Sequence, residues 1–95
     1  MLNQRIRILR QARGLSQVEL AKILGVTKQS VSNWENDNIQ PSIEMLKRMV
    51  QVFSVSTDYL LGLEDVEYID VSGLPSEIVS HLRQLAEDFK VAYGV

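Results

Sequence analysis

Five polar side chains, Lys28, Gln29, Ser32, Asn33 and Asn36, share one edge of any helix built from this stretch. At 100° per residue, with Lys28 at zero, the other four fall within an arc of about 140°. Val31 and Trp34 lie on the opposite side and read as core anchors. The chemistry available to that edge is hydrogen bonding to base edges. Glutamine and asparagine carboxamides can pair bidentately with adenine N6 and N7, lysine reaches guanine O6 and N7, and serine bonds either partner. A merely solvated helix face is also polar. Such a face favours Glu, Lys and Ala on propensity, however, whereas Ser30, Ser32 and Asn33 are mediocre helix formers.

Other chemistries find little material. The 95 residues contain no cysteine, which removes disulfides, thiolate catalysis and cysteine-based zinc sites. The single histidine, His81, cannot make a histidine-rich metal site and reads as solvated or hydrogen-bonded. No nucleophile, base and orienting group come together in the pattern, so neither an enzyme nor a cofactor is expected. No run approaches the ~18 apolar residues of a membrane span. Met1-Leu2-Asn3-Gln4-Arg5 also lacks the apolar core of a secretory signal, so a cytoplasmic protein without a membrane partner is expected. With 45% apolar and 23% charged residues, the chain has the balance of one small folded domain with an appendage. Its net charge of -2 conceals a split: residues 1–53 carry a net +4 and residues 54–95 a net -6. A polyanion meets the local surface rather than the average.

The elements that must hold the polar edge are marked by caps. Leu2, Ile6 and Leu9 define one face of a first helix that stops at Arg13-Gly14. Ser16-Gln17-Val18-Glu19 is a capping box opening a second helix, which ends at Gly25. Thr27 caps a third helix, Lys28 to about Glu35, and Asn36-Asp37-Asn38 is turn chemistry. Pro41-Ser42 opens a fourth helix with Ile43, Leu46, Val50 and Phe53 on one face; Ser56-Thr57-Asp58 caps a short fifth, closed by Gly62. Two helices separated only by Gly25-Val26-Thr27 must cross steeply, which is helix-turn-helix geometry.

The acidic remainder reads differently. Val66–Val71 is β-prone, and a lone strand has no partner inside a helical chain. It is either an extended linker or a strand pairing with its copy in another subunit. Pro75-Ser76-Glu77 opens a helix to about Tyr93, in which Ile78, Leu82, Leu85, Phe89 and Ala92 repeat at 4-3-4-3 spacing. Val79, Ala86 and Tyr93 widen that stripe, so it must bury against something: its own domain, or a second copy.

Residues 5–62 resemble the Cro/phage-repressor-like helix-turn-helix, or XRE, family of DNA-binding regulators. The carrying text is Arg10-Gln11-Ala12-Arg13-Gly14-Leu15-Ser16-Gln17, Leu20-Ala21, Gly25-Val26-Thr27, Ser30-Val31-Ser32-Asn33-Trp34-Glu35-Asn36, Pro41-Ser42, Leu46 and Ser56-Thr57-Asp58-Tyr59-Leu60-Leu61-Gly62. The resemblance implies an all-α fold with a five-helix lambda-repressor-like bundle over 1–62; the residues beyond it read as a linker or short strand at 63–74 and a C-terminal amphipathic helix at 75–95. The resemblance also implies a sequence-specific regulator of double-stranded DNA, most simply a repressor; since half-sites call for paired copies, the stripe of Ile78, Leu82, Leu85 and Phe89 would join two of them as a homodimer. Ser16, Gln17, Arg10 and Asn36 would then serve the DNA backbone, and Lys28, Gln29, Ser32 and Asn33 the base edges. Arg10 and Glu35 match a pair that the family joins by a salt bridge. The sequence departs from the family at Asn36-Asp37-Asn38-Ile39, which lacks the usual glycine and basic residues. The alternative is an antitoxin-like or adaptor module whose last helix binds a different protein. No metal is expected, and so short a tail leaves no room for an effector domain of ordinary size, so no small-molecule effector is expected.

Overall fold

Four of the six helices start where a hydroxyl satisfies a free N–H. In the computed structural model, which describes residues 1–95, Ser16 Oγ accepts from Glu19 N at 3.0 Å while Glu19 Oε1 accepts from Ser16 N at 2.9 Å. Thr27, Ser42 and Ser56 repeat the hydroxyl half of that motif on Ser30, Met45 and Tyr59. The resulting order is α1 Leu2–Ala12, α2 Gln17–Leu24, α3 Lys28–Glu35, α4 Ile43–Phe53, α5 Thr57–Leu60 and α6 Ser76–Tyr93. Gly25 ends α2 in the left-handed region (φ 73°), which turns the chain sharply into Thr27 and α3.

The first five helices enclose one core of Ile6, Leu9, Leu20, Ala21, Leu24, Val31, Trp34, Met49, Phe53, Tyr59 and Leu60. α2 packs on α3 and α4, α1 on α3 and α5, and α4 on α5. Trp34 is core, as its position opposite the polar edge requires. In α4 the buried centre is Met49 with Phe53, flanked by half-buried Leu46 and Val50. Ile43, expected on that face, is exposed because it sits in the first turn, beyond the reach of α2 and α5. Val66–Val71 forms no strand, since the chain offers nothing for it to pair with. α6 buries no residue and stands outside the packed pairs.

One buried carboxylate ties α1, α2 and α3 together. Glu35, at the last turn of α3, is only 2% exposed. Arg10 of α1 grips it with two donors, Nε to Oε2 at 2.7 Å and Nη2 to Oε1 at 3.1 Å. Gln17 of α2 donates Nε2 to Oε1 at 3.2 Å, and Arg7 of α1 adds Nε at 3.3 Å. Asn3 Nδ2 reaches the Glu35 carbonyl at 3.4 Å. Burial alone would push the Glu35 carboxyl up. The hydrogen bonds from Arg10, Gln17 and Arg7, with the charge of Arg10, override it and hold the group below the ordinary carboxylate range. Hydrogen bonding from Arg10 to the same carboxylate raises the guanidinium in turn.

Breaking a buried pair from one side strands the other charge, at a cost of about 3 kcal/mol or more. E35A is therefore expected to lower unfolding stability in urea by roughly that amount. The folded carboxyl ionises more readily than the unfolded one. Its contribution is consequently complete above the unfolded range near pH 4.5 and disappears as pH falls through the folded value. Wild type should lose stability below about pH 4 more steeply than E35Q; parallel pH profiles for the two would show that the clasp contributes nothing.

Candidate nucleic-acid interface

With Val31, Trp34 and Glu35 turned into the core, α3 is left with its hydrophilic edge outward. Lys28 and Gln29 are exposed at its start, Ser32 and Asn33 are half-buried along its middle, and Asn36 is exposed at its end. Side chains one turn apart hold one another in place. Gln29 Nε2 donates to Asn33 Oδ1 at 3.0 Å, and Asn36 Nδ2 donates to Ser32 Oγ at 3.3 Å. Lys28 makes no ion pair, so its ammonium is free.

The start of α2 lies beside this edge through the shared Glu35 carboxylate. Gln17 is half-buried and spends one carboxamide N–H on Glu35, which fixes its plane and leaves the second N–H available. Ser16 caps the same helix end; bonds from its backbone N–H and its hydroxyl hold the Glu19 carboxyl below its usual range. The N–H groups of Gln17 and Val18 have no carbonyl one turn back, so they point outward as anion donors at the positive end of α2.

Arg10 is turned into the bundle rather than along the polar edge. Its side chain is 12% exposed, with Nε and Nη2 on Glu35 and Nη1 on the Leu15 carbonyl at 2.8 Å. A guanidinium so enclosed braces the bundle. Arg7 is the residue that sequence reasoning missed. Three positions before Arg10 and on nearly the same face, it bridges Glu35 and the Asn36 Oδ1 (Nη2, 3.3 Å) while remaining half exposed. Its spacing from Arg10 was the available signal. Asp37 adopts a left-handed backbone (φ 58°) and accepts from Gln40 Nε2 at 3.0 Å, so a carboxylate follows the polar edge.

The second surface is α6. Ile78, Leu82, Leu85 and Phe89 line one face, each between 42% and 55% exposed, and Phe89 leans toward Tyr93 with ring centroids 6.5 Å apart. The stripe does not pack on the bundle. No helix is long and apolar enough to cross a membrane, and no three His, Cys, Asp or Glu side chains gather as metal ligands.

Comparison with known proteins agrees with this geometry. The helix-turn-helix family profile HTH_3 matches residues 6–60. The HTH-type transcriptional regulator ImmR of Bacillus subtilis is 31% identical over 87 residues, covering 92% of this chain and 68% of its own. The structure of SinR, a master regulator for biofilm formation, in complex with DNA is 39% identical with a TM-score of 0.59, over 64% of this chain and 98% of that one. The SinR protein/SinI protein complex matches 96% of this chain and 99% of its own at 29% identity, with a TM-score of 0.62. The chain belongs to the XRE-type helix-turn-helix family of DNA-binding transcriptional regulators.

Proposed function

We infer that the protein is a homodimeric repressor that reads the DNA major groove with α3. The observation carrying this is the two-sidedness of α3: Val31, Trp34 and Glu35 lock its inner face, and Lys28, Gln29, Ser32, Asn33 and Asn36 remain along the outer one. Gln17 and the α2 N–H groups would grip a phosphate on one side of the groove. Arg7 and Asn36 would grip one on the other, and Lys28, Gln29, Ser32 and Asn33 would meet base edges between them. The likeness to SinR in complex with DNA supports the DNA partner. As a division of labour, residues 1–62 bind DNA, 63–74 connect and 75–95 dimerise.

One copy binds weakly. Roughly five phosphate contacts give salt-sensitive affinity, falling about 0.9 log unit per contact for each tenfold rise in salt. A pair of copies with recognition helices ~34 Å apart would span two half-sites one helical turn from each other. The unburied stripe of α6 supports that pairing. A second occupant, a different protein, is supported by the likeness to the SinR protein/SinI protein complex. A monomer by light scattering at micromolar concentration would favour it.

Selection of bound sequences from random duplex DNA tests the assignment directly: a two-fold symmetric enriched site is expected. Replacing Gln29 and Asn33 together by alanine should remove roughly 1–3 kcal/mol of discrimination per lost bidentate contact and leave the fold intact. Unchanged preference for operator over scrambled DNA would sink the base-reading role. Every buried residue lies in α1–α5, so deletion of 75–95 should yield folded monomers with much weaker operator binding. A truncated chain that still scatters as a dimer would overturn the role of α6.

A further inference from the structure

The stripe on α6 is small for the task. Its four side chains expose roughly 400 Å² between them, about half of the ~800 Å² per partner that a standard stable interface buries. The missing area lies alongside. Val66, Tyr68 and Ile69 are all more than half exposed, Ile69 at 77%. This stretch runs against α6, where Ile69 and Val71 share a groove of about 380 Å³ with Val79, Leu82 and Ala86. Those helix residues border the stripe on one side, so the extended segment and the stripe form a continuous apolar surface.

The backbone of that segment is also unspent. From Val66 to Val71 no N–H or C=O takes part in a main-chain hydrogen bond except the Val71 carbonyl, which accepts from Leu74. A row of free donors and acceptors on β-prone residues is a template for strand pairing. We propose that residues 67–71 pair antiparallel with the same residues of a second copy, across a two-fold axis at Ile69, completing the interface begun by α6.

Charge excludes one register. An axis between Tyr68 and Ile69 would set Glu67 opposite the partner's Asp70, a like-charge pair that destabilises a ladder. An axis on Ile69 sets Ile69 against its copy, Glu67 against Val71, and the Tyr68 phenol against the Asp70 carboxylate. No like charges then face each other; an axis on Tyr68 meets the same condition and is separated from this one by crosslinking.

The inference rests on the homodimer reading, and the experiment separates the two. Because the chain has no cysteine, a single introduced thiol reports without background. Opposed residues in an antiparallel pair have Cα atoms about 4.5–5.5 Å apart, within disulfide range. I69C in a glutathione redox buffer should therefore form a covalent dimer at least roughly tenfold more readily than L63C, an exposed control off the axis, through its higher effective concentration. Thermal melting of the reduced variants checks that each is folded, and light scattering of wild type reports pairing itself. A wild-type dimer in which neither I69C nor Y68C crosslinks overturns the strand pairing, and one in which Y68C crosslinks instead of I69C overturns the register; either result leaves the functional reading standing. A wild-type monomer overturns both.

Discussion

A single carboxylate, Glu35, decides how three helices meet. It closes α3 on the side away from solvent and receives donors from α1 and α2 at once. Taking such a charge out of water is unfavourable unless every lone pair finds a donor. Here four hydrogen bonds from three residues supply them, and no buried polar side-chain atom in the protein lacks a partner. Apolar packing between short helices tolerates rotation and sliding. A bidentate guanidinium–carboxylate contact does not, because its two parallel bonds exist at one orientation only. The angle at which α3 stands from the bundle is thus defined electrostatically, on a foundation of Val31 and Trp34.

The same economy governs the other arginines. Arg48 Nη1 satisfies the Leu24 carbonyl at the end of α2, and Arg13 Nη2 does the same for Val52 on α4. Arg5 stacks on the Tyr59 ring at 3.9 Å while bonding the Tyr59 and Glu64 carbonyls and the Asp65 carboxylate. Much of the positive excess in the first half of the chain is therefore invested in holding helix ends. The formal +4 overstates the field offered to a polyanion, and Lys28 with the half-exposed Arg7 carries a large share of what remains on the α3 side.

What could be read from residues alone follows the range of each interaction. Caps at Ser16, Thr27, Ser42 and Ser56 are bonds across three positions, so the starts of α2 to α5 were visible in advance. The polar edge of α3 was visible for the same reason, since helical pitch alone places Lys28, Gln29, Ser32, Asn33 and Asn36. Arg7 and Asn3 were not, because their partner on α3 lies about thirty residues away and a long side chain chooses it only after folding. Arg10 shows the converse: its link to Glu35 came from family likeness, but its enclosure depends on the Leu15 carbonyl as well, which no spacing reveals. The weighting of α4 toward Met49 instead of Ile43 depends on where α2 and α5 end, which no periodicity within α4 encodes.

Arg5 has a mechanical consequence. By anchoring Glu64 and Asp65 to the bundle, it shortens the free tether between the head and α6 to little more than Val66–Leu74. In a paired assembly two such short tethers would limit how far apart the heads can stand. Half-sites moved apart by even a few base pairs would also rotate around the duplex, and the heads could not follow both changes. Selectivity would then reside partly in the ruler, independent of any base that α3 touches.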